Sequence, residues 1–115
     1  MEEKILDAIK GLEKSGISNI SLLALVSSTS YEVIFYGDYK GETHQSNEMA
    51  ESGIIASNVV DDFYKQIATI IRESDGYSLE KMNIVARGKD GNISVLYDEK
   101  NCRVHKIKKE WKSSL

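Results

Sequence analysis

The side chains able to do chemistry in this chain are two histidines, one cysteine and a scatter of acids. His44 and His105 are the pair that a metal-independent ribonuclease would use as general base and general acid. One lies in a polar stretch ahead of the main helix and the other near the end of the chain, so spacing does not bring them together, and exposed or structural roles are expected. A zinc centre needs three or four Cys, His, Asp or Glu ligands at short spacing. Cys102 and two scattered histidines do not provide them, and no metal is expected. Asp61 and Asp62 are sequence neighbours, yet adjacent helical positions point about 100° apart. At a helix start such acids serve the dipole. Gly88-Lys89-Asp90-Gly91 lacks phosphate-loop spacing and separates two strands instead of opening a helix. No serine has a base or elbow glycines beside it. The residues therefore predict no enzyme activity and no cofactor.

Charge is the more informative property. Residues 1–99 hold nine Lys/Arg against seventeen Asp/Glu, whereas residues 100–115 hold six Lys/Arg against Glu110 alone. An acidic body with a basic tail serves association and steering. A net charge of −3 argues against a general nucleic-acid binder, which replaces phosphate counterions over a broad cationic surface. The tail, with Lys100, Arg103, Lys106, Lys108, Lys109, Lys112 and Trp111, is the one stretch that could touch phosphates; it reads instead as a solvated edge strand guarded against aggregation. A single Cys102 fits a reducing compartment, as a half-buried strand residue. The charged start Met1-Glu2-Glu3-Lys4 and the lack of a long apolar run predict a cytoplasmic protein with no membrane span.

These residues must be positioned by a single domain over 1–115, a length that supports one core. Ile5, Ala8, Ile9 and Leu12 mark an amphipathic helix from Glu2 to Lys14, stopped at Gly16. Ile20–Val26 and Tyr31–Tyr36 form a hairpin across Ser27-Ser28-Thr29-Ser30. In the first of these strands both faces are apolar, which predicts a central position or a covering partner. Gly37 to Gly53 is too polar to pack and reads as a functional loop, with room for a short strand near Thr43. Ser57 or Asn58 caps a core helix carrying Val59, Val60, Phe63, Tyr64, Ile67, Ile70 and Ile71, with Asp61 and Asp62 in its first turn and its end near Asp75-Gly76. Met82–Arg87 and Ile93–Tyr97 pair across Asp90-Gly91. Asn101–Ile107 is the candidate last strand. The order predicts an α+β fold: an antiparallel β-meander of four to five strands with two main helices packed on one face.

Several strings fall in a familiar order. Tyr31-Glu32-Val33-Ile34-Phe35-Tyr36, a polar glycine-containing loop and a helix with Asp61-Asp62-Phe63-Tyr64 come first. Met82-Asn83-Ile84-Val85, Gly91-Asn92-Ile93-Ser94-Val95-Leu96-Tyr97-Asp98 and a basic segment ending at Trp111 follow. Over residues 20–111 this arrangement resembles the YezG-like immunity proteins of bacterial polymorphic toxin systems, and it is similar to immunity proteins of contact-dependent growth inhibition. The resemblance implies a cytosolic protein that binds one cognate toxin domain, often a nuclease, and blocks its active site or access to substrate, as a monomer in a one-to-one complex. A nuclease toxin is cationic near its groove, so an acidic neutraliser with aromatic anchors suits it. The expected toxin-binding residues are the stretch from Asp38 to Glu51, with Glu42 and Glu48, flanked by Tyr36 and Tyr39, and Asp61 and Asp62 near the helix start. A small secretion chaperone or adaptor is the competing expectation; it would expose an apolar groove or edge strand to a client and dimerise.

Overall fold

The computed structural model describes residues 1–98 and 104–115. Along the chain run α1 (Glu2–Glu13), β1 (Ser18–Val26), β2 (Tyr31–Tyr39), β3 (Glu42–Gln45), α2 (Ser46–Glu51), α3 (Ser57–Arg72), β4 (Met82–Arg87), β5 (Ile93–Asp98) and α4 (Val104–Ser113). The five strands form one antiparallel sheet in the order β3-β2-β1-β4-β5. This is the α+β class expected. β1 is central because it pairs with both β2 and β4, and its two faces are covered from opposite sides.

On one face Ile20, Leu22, Ala24 and Val26 meet Val33 and Phe35 of β2 and Val85 of β4, with Ile5, Ile9 and Leu12 of α1 and Val60, Phe63, Ile67 and Ile71 of α3 closing the core. Phe35 packs edge-on against Phe63, ring centroids 5.2 Å apart, a geometry that sets a ring edge against a π face. The two main helices therefore share this face. The other face carries Leu23, Leu25, Ile34 and Ile84 under Trp111.

That second layer corrects the reading of the tail. Asn101–Ile107 was expected as a strand, but a helix runs from Val104 to Ser113, and Asn101 to Arg103, like Lys100 and Cys102, lie outside the described residues. Val104, Ile107 and Trp111 recur at helical spacing and turn toward the sheet, leaving His105, Lys108, Lys109 and Lys112 together on another side of the helix. Trp111 Nε1 donates to the Arg87 carbonyl at 3.3 Å, and Lys108 Nζ meets Glu32 Oε1 at 2.6 Å.

Two further expectations shift. α3 starts at Ser57 with Ala56 as its uncapped N-terminal neighbour and ends at Arg72, so no acid lies in its first turn and Asp61 and Asp62 sit beyond it. Ile55 and Val60, flanking that start, are both buried in the core, the residue pair of a hydrophobic staple that fixes chain entry without a polar cap. At the far end Arg72 donates to the carbonyls of Ser27 and Ser30, anchoring the β1–β2 turn. The Gly37–Gly53 stretch is ordered: it continues β2, turns into β3 and forms α2, whose Met49 is fully buried. Gly37 is tolerated there for its missing side chain, since a Cβ would stand 2.4 Å from Ile17 Cγ2. We predict that Gly37→Ala destabilises by about 1–3 kcal/mol through overpacking, read by urea denaturation. An unchanged midpoint would mean that β2 does not pack closely on Ile17, the residue ahead of β1.

Candidate functional site

The β2–β3 hairpin and the helices beside it gather most of the acids singled out above. Lys40 and Gly41 both take positive φ, 51° and 82°, and Tyr39 pairs with Glu42 across them, a two-residue turn whose twist matches that of the strands. Register then sorts the hairpin by face. Tyr39, Glu42 and His44 lie on the α1/α3 side, where Tyr39 lies against Gly16 and the core. Asp38 and Thr43 lie on the α4 side with Tyr36, whose ring is 5.6 Å from that of Trp111.

On the α1/α3 side, His44 is held between two carboxylates. Its Nδ1 bonds Glu48 Oε1 at 2.6 Å, and its Nε2 lies 3.7 Å from Glu42 Oε2. α2 is fastened below them by Ser46, a fully buried residue whose Oγ accepts from the Phe35 amide at 3.3 Å and from the Tyr64 hydroxyl at 2.5 Å. Burial raises the Tyr64 hydroxyl above its ordinary pKa; the Ser46 contact opposes this, and the charge of Asp61 adds to it. Tyr64, one turn after Asp61 on α3, thus ties that helix to Ser46 and Asn47 of α2. Glu51 ends that helix, exposed. Asp62 points elsewhere, into a groove of about 230 Å³ between α1 and α3 with Gly11, Val59 and Gln66. The structure therefore joins Glu42 and Glu48 through His44, places Glu51 at the end of the same helix and leaves Asp61 exposed on α3, separates Asp62, and sets Tyr36 and Asp38 on the opposite face of the sheet.

Asp38 has its own setting. Asn19 Nδ2 donates to Oδ2 at 2.9 Å and Thr43 Oγ1 to Oδ1 at 2.6 Å. These two bonds, Asn19 first, with Lys89 nearby, outweigh slight desolvation and hold the carboxyl below its ordinary pKa. Around it lies a cavity of about 300 Å³ lined by Asn19, Ser21, Tyr36, Thr43, Lys89 and Leu115. Asn19, Ser21 and Lys89 were not singled out from sequence; they come from β1 and the β4–β5 turn, and only the sheet brings them to Asp38. A folded pKa below the unfolded one means that stability from Asp38 is present above the unfolded pKa and is lost as pH falls through the folded value. Asp38→Asn is thus expected to lower stability at neutral pH by less than about 1 kcal/mol at this exposed site, with the difference closing below about pH 4. Denaturation at pH 7 and pH 3 measures it, and a gap that widens in acid would contradict the bonding.

His44 and His105 do not converge: His44 contacts α2 at the hairpin, while His105 lies on α4, across the sheet. Among the described residues no three His, Cys, Asp or Glu side chains are grouped to hold a metal ion, and no helix is long and apolar enough to cross a membrane. Fold and surface together define a small α+β domain with a structured acidic edge. No protein-family model, curated protein or solved structure matches the chain.

Proposed function

We propose that this chain is an immunity-type inhibitor: a cytoplasmic binding protein that captures a cationic toxin domain, a nuclease being the class its charge suits, and blocks access to its active site. The observation that carries this reading is the charge of the hairpin and its neighbours. Residues 37–62 contain six acids and one base, Lys40, and Glu42, Glu48, Glu51 and Asp61 are carried by β3, α2 and α3, with α2 packed against both of the others. Acids on ordered elements lose less freedom on binding than acids on a loose loop, so their attraction to a cationic groove is not spent on ordering them.

The sheet supports this over a client-holding adaptor. The face that an adaptor would offer to a client is occupied by Trp111, Ile107 and Val104 of α4, and among the described residues the exposed large apolar side chains are Tyr31 on β2, Val59 on α3 and Leu79 between α3 and β4.

The test is co-purification with the protein encoded by the gene's immediate neighbour, followed by calorimetry of the purified pair at rising ionic strength. A one-to-one complex of about nanomolar affinity or tighter is expected, weakened by salt. The triple variant Glu42→Lys, Glu51→Lys, Asp61→Lys should weaken it by at least about 100-fold, while reversal of Asp62 in its separate groove has a far smaller effect. Affinity indifferent to the triple reversal would overturn the acidic edge as the binding surface.

A further inference from the structure

The cavity at Asp38 has the construction of a binding site. β1 arrives at it through a bulge between Ser18 and Ser21, and Asn19 within the bulge holds a left-handed φ of 51°. Asparagine adopts that conformation more readily than most side-chain-bearing residues, and bulges of this kind re-aim side chains. Here the consequence is visible: the Asn19 amide nitrogen points at Asp38. With Thr43 on the other oxygen, the carboxylate is oriented by two donors, while about four acceptor positions are available on an ionised carboxyl group. Two of those positions remain. Asn19 Oδ1, turned away from the carboxylate, is a further acceptor, and the hydroxyl-bearing Ser21 and Tyr36 line the same space. The arrangement is one fixed negative charge with neutral acceptors beside it and one exposed cation, Lys89, at the lining, in a space of about 300 Å³.

A guanidinium group fits that description better than an ammonium. It is planar, permanently charged and carries five donors in a rigid fork, which several acceptors around one carboxylate can satisfy together. We propose that the Asp38 cavity is a guanidinium site that receives an arginine side chain of the protein partner; the partner, though not the cavity's chemistry, rests on the inhibitor reading above. Lys89 is the only basic residue among the described lining residues, and it is exposed. Its charge competes with an incoming cation for Asp38, so removing it should strengthen binding. A site for an anion would show the reverse.

The cavity can be tested without the partner. The isotopically labelled full chain would be titrated with methylguanidinium chloride and with an acetylated Gly-Arg-Gly amide, following the Asn19 side-chain amide and the Ser21 and Thr43 backbone amides by NMR. The control is the matching citrulline peptide, of the same shape and uncharged. Saturable shifts at these positions are expected with a dissociation constant on the order of millimolar, tighter for the arginine peptide than for the free ion. Asp38→Asn should weaken binding by about tenfold or more, and Lys89→Gln should tighten it about twofold to fivefold. Asn19→Gly keeps the left-handed backbone accessible while deleting the amide, so its loss of affinity reports the orienting bond and not a failure to fold.

Shifts that do not saturate, citrulline binding equal to arginine, or weakening by Lys89→Gln would each overturn the assignment, as would free methylguanidinium binding more tightly than the peptide. A successful titration with no partner found would sustain the cavity's chemistry and remove the inhibitor reading. A partner that binds through the acidic edge while the titration fails would do the opposite.

Discussion

Trp111→Ala is expected to destabilise the fold by about 3–5 kcal/mol and to melt α4. Trp111 is 6% exposed and caps the second core of Leu23, Leu25, Ile34 and Ile84. Truncating a buried tryptophan removes both transfer free energy and packing, and here it also deletes the hydrogen bond from Nε1 to the Arg87 carbonyl. The helix has no independent means of surviving. It is 10 residues long, below the roughly 12–15 at which isolated helices become even marginal in water, and the exposed pair of Lys106 with Glu110 at 3.9 Å is little support against the mutual repulsion of Lys108, Lys109 and Lys112. Its remaining ties are the flanking contacts of Val104 and Ile107 with the sheet and the surface ion pair of Lys108 with Glu32, and Lys108→Ala should cost under about 1 kcal/mol. Guanidinium denaturation of the two variants, with far-UV circular dichroism for helix content, separates the contributions. A loss of about 1 kcal/mol or less for Trp111→Ala would mean that α4 is an accessory to the sheet and not the cover of its second face.

The helix that Trp111 holds is also the element least legible in the sequence. Val104, Ile107 and Trp111 are spaced at helical intervals, but three apolar residues among cations are a thin stripe, and reading Ile107 together with the residues before it suggested a strand. What decides the outcome is tertiary: the apolar side of β1 at Leu23 and Leu25, visible in sequence as a face needing cover, receives its cover from a later segment of the same chain. By contrast α1, α3 and the β4–β5 hairpin were plain because local signals and burial agree. The hairpin of β2 and β3 was legible only as room for a short strand near Thr43, where β3 does lie, and the reason there is a different one. Lys40-Gly41 is a weaker turn signal than Asn-Gly, and Glu42-Thr43-His44-Gln45 has no apolar alternation to announce a strand. Its partner contacts hold it: Asp38 with Thr43 on one face, and His44 with Glu48 on the other.

This folding of the polar stretch changes what its acids can do. As a loop, Asp38 to Glu51 would present one diffuse negative surface. As a hairpin followed by a helix it has two sides. Glu42, Glu48 and Glu51 accompany α2, and Asp38 faces the α4 side above its cavity. The basic helix α4 shares the Asp38 side of the sheet, so the acids on the opposite side are farther from internal neutralisation, and under the inhibitor proposal a cationic partner would be steered to them. In the proposal above Asp38 would serve as a point contact near the same hairpin, where a single side chain and not a broad field is recognised.

The second large effect is expected at Asn83, a residue whose type looks out of place in a strand. Asn83 is 1% exposed, and its side chain binds four backbone groups. Nδ2 donates to the carbonyls of Ser78 at 2.8 Å, Val26 at 3.1 Å and Lys81 at 3.1 Å, and Oδ1 accepts from the Ser78 amide at 2.9 Å. One side chain thereby ties the end of β1 to the irregular segment that leads from α3 into β4. Asn83→Ala leaves those groups with no partner in a setting that water reaches poorly, at about 1–3 kcal/mol for each one that stays unsatisfied. A total loss of about 2–4 kcal/mol is expected, because the part-buried carbonyls of Ser78 and Lys81 can be rehydrated while that of Val26 cannot. Asn83→Asp separates hydrogen bonding from shape. Its volume is nearly that of asparagine, but an ionised carboxylate there donates nothing and faces three carbonyl oxygens, so its folded pKa must be raised. A raised folded pKa gives stability that is present below the unfolded value and is lost as pH rises through the folded one. Asn83→Asp should therefore be less stable than Asn83→Ala at pH 7 and should recover toward it as pH is lowered to about 4, where protonation returns one donor. Denaturation of both variants across that range decides the matter: a pH-independent difference between them would show that the asparagine serves by filling space and not by bonding the backbone at the joint between the two halves of the sheet.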